Sequence, residues 1–187
     1  NWIQEENKIK IKNLLSENGI TENEKIVIVN AAASNPNKMW GLSGFTKIVE
    51  YLINEKNMRV VFIGAASDYE LYKNMKFEQR LKTFPVNLCG KVNLKDSLAI
   101  LKEAEFIIGN DSGNLHMASS VETKVIGIYG PMPFEKWKVL GENNILLKAN
   151  LPCMPCSLKG KCPTKACMNA ISVENVKNAI DEIIQKQ

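Results

Sequence analysis

The only histidine, His116, follows Asp111, Ser112 and Gly113 in the stretch Phe106-Ile107-Ile108-Gly109-Asn110-Asp111-Ser112-Gly113-Asn114-Leu115-His116-Met117-Ala118. An apolar run of strand character reaches a polar turn, and a glycine then opens a segment of helical spacing. Such a turn presents a carboxylate, a hydroxyl and the free N–H groups of a helix start, which together suit a phosphate or a sugar. Lys38, after Ser34-Asn35-Pro36-Asn37, adds a mobile positive charge. The same residues admit plainer roles. Asp111 or Ser112 could simply cap the helix, Lys38 could be a solvated lysine, and His116 could be a satisfied core residue. As a ligand group, His116 is better suited to donating a hydrogen bond than to serving as a permanent cation.

Several chemistries are disfavoured. With one histidine there is no metal triad, and no Gly-x-Ser-x-Gly elbow supports a serine hydrolase. Neither Gly-x-Gly-x-x-Gly nor a Walker-type Gly-Lys-Ser/Thr occurs, so the fingerprints of a classical dinucleotide fold and of a P-loop enzyme are missing. Four of the five cysteines form Cys153-x2-Cys156-x5-Cys162-x4-Cys167. They could hold a structural zinc ion or an iron-sulfur cluster, pair as disulfides, or remain thiols. Cys89 reads as a small buried residue.

The elements that must position these groups alternate. Apolar runs at 26–29, 60–63, 106–108 and 125–129 read as buried strands, the first of the kind covered on both faces, with a short strand at 86–88 and a sixth candidate at 145–147. Between them, helical spacing predicts helices over 4–16, after Gly44 from Phe45 to about 53, 68–82, 94–102 and 114–121, and a closing helix over 173–184 capped by Ser172. Leu94, Leu98 and Leu101 are expected to face inward. The pattern is that of an α/β fold with a mostly parallel, five- or six-stranded sheet covered on both faces. The loops carrying Ser34 and Lys38, Asp68, Lys91, and Asp111 with Ser112 then gather at one edge of the sheet.

The 187 residues and the 45% hydrophobic, 24% charged composition suit a single globular domain over 23–187, with 1–22 as a leading helix and inter-domain junction. No stretch has the length of a membrane span or the pattern of a signal peptide, so a cytoplasmic location is expected. The formal charge of +4 is no nucleic-acid signature, and aromatic residues are not interleaved with the lysines. From Asn143 to Val173, however, Lys148, Lys159, Lys161 and Lys165 meet no carboxylate. That stretch reads either as a solvated loop or as a surface for a phosphate, an anionic acceptor or an anionic membrane.

From Ile26 to Ile184 the chain resembles the lipopolysaccharide heptosyltransferases, specifically their carboxy-terminal donor-binding domain. The segment 109–118 resembles their Asp-Thr/Ser-Gly-x-x-His-x-Ala motif, Lys38-Met39-Trp40 their Lys-Arg-Trp-Pro segment, and the late cysteines a loop of many members. The resemblance implies a Rossmann-like three-layer sandwich, one half of a two-domain inverting glycosyltransferase with no essential metal. The implied donor is ADP-L-glycero-β-D-manno-heptose. The implied acceptor is lipid A–Kdo, held by an amino-terminal half at the inner face of the membrane. Carried over, Lys38 neutralises the pyrophosphate and Asp111 binds heptose hydroxyls. Ser112 and Gly113 take phosphate oxygens, with His116 in support and Ser34 nearby. Lys91 and Val92 lie beside the nucleotide, and Asp68 or Glu70 meets the ribose. Two positions depart from the motif: Met39 stands for arginine and Gly41 for proline.

Overall fold

The computed structural model describes residues 3–157 and 162–186. Six strands form one sheet: β1 (Ile26–Asn30), β2 (Arg59–Phe62), β3 (Val86–Asn87), β4 (Phe106–Asn110), β5 (Lys124–Tyr129) and β6 (Ile145–Lys148). Every pairing is parallel, and the order is β3-β2-β1-β4-β5-β6. This is the doubly wound order of dinucleotide-binding folds, reached without their glycine fingerprint. Strands β1 and β4 are buried at every position because helices cover both faces of the sheet.

On one face lie α2 (Leu42–Asn54) and α8 (Val173–Gln185), which pack on Val27, Val29, Phe106 and Ile108. On the other, α1 (Glu5–Glu17), α4 (Leu94–Glu103) and α5 (Gly113–Ser120) cover Ile26, Ile28, Ile107 and Val125. Alternate strand residues thus feed two separate cores, as the period of two requires. Helix α1 is fastened to α4 by Asp96, which is fully buried and accepts from Asn7 and Lys10. Short helices α6 (Phe134–Trp137) and α7 (Ala166–Asn169) complete the described chain.

Two helical expectations need correction. The helix expected over 68–82 is only α3 (Tyr69–Lys73), after which the chain runs irregularly to β3. Glu50 of α2 accepts from the N–H groups of Glu78 and Gln79, and Asn54 from that of Lys82. These side chains satisfy the backbone that a longer helix would have satisfied itself, while Met75 and Leu81 are still buried. Leu94 opens α4 but is 67% exposed. It sits at the rim of a cavity at the carboxyl edge of the sheet.

Candidate functional site

Between β1 and β4 the strand order reverses, and the loops that follow them part to either side of the sheet. A cavity of about 640 Å3 opens there, a size within the range of small-molecule sites. Its walls come from Asn30 and Ala32 to Ser34 after β1, Gly64, Ala65, Ser67 and Asp68 after β2, Val92 to Leu94 after β3, and Ser112 to Asn114 after β4. Ser112 is the N-terminal residue flanking α5, yet no side chain caps that helix. A Cβ built on Gly113 would meet nothing within 4 Å. The positive end of an eight-residue helix therefore opens on free space.

Asp111 does not cap the helix. It is 5% exposed and pairs with Lys38, Nζ to Oδ2 at 2.8 Å. Lys38 ends a 3-10 turn, Pro36–Lys38, started by Asn35, whose side chain accepts from the Asn37 N–H. Asn110, fully buried at the end of β4, donates to the Ala31 carbonyl at 2.7 Å and accepts from the Trp40 N–H at 2.9 Å. Asn30 at the end of β1 donates to Ser112 Oγ at 2.7 Å. The Trp40 ring is fixed in turn by its indole N–H to the Ile171 carbonyl and by an edge contact with Phe45. Gly109 permits this proximity, since a Cβ there would come within 2.9 Å of the Asn30 carbonyl.

Of the two carboxylates considered for the ribose, Asp68 lines the cavity and Glu70 does not. Asp68 accepts from the Ala65 N–H at 2.9 Å, while Glu70 is exposed and pairs with Lys73. Val92 and Ser34 line the cavity, whereas the Lys91 ammonium sits 5.5 Å from the Tyr69 ring centroid. Tyr72 takes the N–H groups of Ala31 and Ala32 on its hydroxyl and stacks on Phe62, so the loop after β1 is held from a second side. Burial pushes the Tyr72 hydroxyl well up, and it pushes the nearby Cys89 thiol up to about 12.

The sequence profile of glycosyltransferase family 9 (heptosyltransferase) matches residues 4–167. The chain belongs to this family. Lipooligosaccharide heptosyltransferase 2 of Campylobacter jejuni is 32% identical over 179 residues, which is 90% of this chain and 53% of that protein. A family 9 glycosyltransferase structure from Veillonella parvula superposes with a TM-score of 0.84 at 22% identity, over 99% of this chain and 53% of that one. The Escherichia coli heptosyltransferase WaaC, solved with ADP-2-deoxy-2-fluoro heptose, gives 0.65 at 18% identity over 87% of this chain and 44% of that one. These two superpositions speak to the fold alone. The chain spans about half the length of the Campylobacter jejuni relatives it matches.

Set against the family 9 motifs, Lys38 and Asp111 come together, with Ser112 and Gly113 at the cavity wall. His116 does not join that wall. Its side chain is exposed on α5, which corrects the view of it as a core histidine. Gly41, the departure from the motif's proline, has φ of +66° at the start of α2, a conformation closed to proline. The late cysteines are free thiols, with Cys167 buried, Cys153 exposed, and Cys156 and Cys162 between. Among the described residues, no three cysteine, histidine or carboxylate side chains are gathered for a metal ion. Lys165 follows Cys162 and donates from Nζ to the Pro36 carbonyl at 2.8 Å, tying the cysteine loop to the Lys38 turn.

The residues that sequence reasoning passed over are Asn30, Asn110 and Tyr72. The two asparagines carried a signal, since each ends a wholly apolar strand where a side-chain amide must find partners.

Proposed function

We propose that this chain is the donor-binding, carboxy-terminal half of a two-domain heptosyltransferase. In this reading α1 leads in from the amino-terminal half, and residues 23–187 hold the nucleotide sugar. The carrying observation is the open start of α5 at the strand-order reversal, next to the half-buried Lys38 and its partner Asp111, which sit just behind the cavity wall rather than on it. ADP-L-glycero-β-D-manno-heptose lies with its pyrophosphate on the Ser112 and Gly113 N–H groups, its base beside Val92 and its ribose toward Asp68. Asp111 takes heptose hydroxyls. Lys38 turns from Asp111 to the pyrophosphate, where charge grows as the glycosidic bond breaks, so it favours the transition state over the ground state. His116, exposed on α5 away from the cavity wall, has no direct contact with the donor in this reading.

The sugar passes with inversion to lipid A–Kdo. The other half holds that acceptor and removes its proton, so this chain alone binds donor and transfers nothing. A lipid-linked acceptor places the work at the cytoplasmic membrane face, toward which Lys148 and Lys165 contribute charge, while Lys159 and Lys161 of the same stretch lie outside the described residues. Among the described residues, no helix is long and apolar enough to cross a membrane.

Titration with ADP-heptose, ADP, and UDP- and GDP-sugars, read by amide chemical shifts, tests the donor assignment. ADP and ADP-heptose should move the signals of Val92, Ser112 and Gly113. A preference for a UDP- or GDP-sugar would reassign the donor, and silence toward all would overturn nucleotide-sugar binding. Transfer by the full-length protein should fall in Lys38→Ala and Asp111→Asn; unchanged rates would remove their roles.

A further inference from the structure

At the strand-order reversal, β1 and β4 lie side by side with Asn30 opposite Gly109, and Asn110 follows one residue on. Both asparagines are buried, at 2% and 0% exposure, and neither spends its side chain on its own loop alone. The Asn110 amide crosses to the loop after β1 and engages both of its ends, donating to Ala31 O and accepting from Trp40 N–H. Lys38 is two residues before that second anchor, and Asp111 is the residue after Asn110 itself. One carboxamide therefore sets the relative position of the two halves of the Lys38–Asp111 pair. Asn30 returns the favour to the other strand. Its Nδ2 donates to Ser112 Oγ, so that hydroxyl, which caps nothing, keeps its own proton to donate elsewhere.

We propose that Asn110 and Asn30 are reciprocal positioning residues: Asn110 holds the Lys38 turn against Asp111, and Asn30 aims the Ser112 proton at an anionic ligand. Asparagine suits the first task because it supplies donor and acceptor from one planar group. Aspartate there would keep the acceptor but set an oxygen against the Ala31 carbonyl at hydrogen-bond distance, in a site closed to water. For its effect on a ligand the proposal rests on the donor-site reading above. The bracing itself can be measured with no ligand present.

The experiment uses the full-length protein in two arms. In the first, amide hydrogen exchange is compared between parent and Asn110→Ala without nucleotide. The Trp40 N–H should exchange about tenfold faster or more, while Ile107 and Val125 in the sheet core keep their rates. An unchanged Trp40 rate, or acceleration throughout the sheet, would overturn the bracing. In the second arm, ADP affinity is measured for Asn110→Ala, Asn110→Asp, Lys38→Ala and the pairwise combinations. Each Asn110 variant should weaken ADP about tenfold, and should weaken it little further once Lys38 is alanine. Asn30→Ala should behave likewise against Ser112→Ala. Losses that simply multiply would refute positioning and leave general destabilisation. Should Lys38→Ala and Ser112→Ala both leave ADP affinity unchanged, the donor-site reading falls, and the bracing still stands or falls on the exchange rates.

Discussion

Replacing Lys38 by methionine keeps the apolar stem and deletes the charge that faces Asp111. The two side chains are 15% and 7% exposed and 2.8 Å apart. At an effective dielectric of about 20, the direct attraction at that distance is about 6 kcal/mol, most of it offset by the cost of drying both charges. Removing one partner leaves the other to bear its desolvation alone, a loss of about 3–5 kcal/mol in a fully buried pair. Lys38 retains some exposure, so water can reach the orphaned carboxylate, and about 3 kcal/mol is the expected loss. For a chain of 187 residues that lowers the melting temperature by about 6–12 °C. Adding Asp111→Asn to Lys38→Met removes the orphaned charge and should recover most of that loss. Differential scanning calorimetry of parent, Lys38→Met, Asp111→Asn and the double variant near pH 7 makes the comparison. The reasoning fails if Lys38→Met lies within about 1 kcal/mol of the parent, or if the double variant is no more stable than Lys38→Met alone.

Two further outcomes follow from groups outside the cavity. Burial works against ionising Asp96, but the hydrogen bonds it accepts from Lys10, Asn7 and the Asn93 backbone N–H outweigh that, and its carboxyl is held below the usual range. A depressed folded-state value means stability that is present above about pH 4, the unfolded value, and is lost as pH falls through the folded one. Unfolding midpoints in urea should therefore drop between about pH 4 and pH 2 more steeply in the parent than in Asp96→Asn, and parallel curves would contradict this. Among the thiols, the backbone N–H groups of Thr164 and Lys165 hold Cys162 below its ordinary value, whereas burial pushes Cys89 up to about 12. Iodoacetamide at pH 7.5 should alkylate Cys162 well before Cys89, read by mass spectrometry; equal rates would show that these environments do not control the thiolates. One equivalent of zinc or iron retained through a reducing purification would mean that the late cysteines close around metal.

The centre of the sheet was legible because β1, β2, β4 and β5 carry apolar runs bracketed by turn residues, and burial on both faces writes that directly into the sequence, whereas two-residue β3 and half-buried β6 leave a weaker trace. The opening of the site was legible for a similar reason, since the passage from Ile108 through Asp111 to Gly113 is a strand end and a helix start within a few residues. What the sequence hid depends on long-range partners. The run after Asp68 has helical spacing, but Glu50 and Asn54, more than twenty residues earlier, take its N–H groups and keep it irregular. Leu94 carries the same apolar signal as Leu101, and only the cavity beside it explains why it is left in the open. Asp111 read equally as a cap or a ligand group until Lys38 was seen against it. No local rule brings a lysine from one loop to a carboxylate on another.

The indole of Trp40 rests on the Ile171 carbonyl, and Lys165 on the Pro36 carbonyl. These contacts span 131 and 129 residues, so the turn carrying Lys38 leaves the ribosome long before the segment that steadies it. During synthesis the first five strands can pair, and Asn110 can anchor that turn at Trp40, before the indole and Pro36 gain these later partners. A chain halted near Leu151 would hold all six strands and the whole cavity wall, yet lack the Ile171 and Lys165 contacts that give the Lys38 turn its last two fastenings.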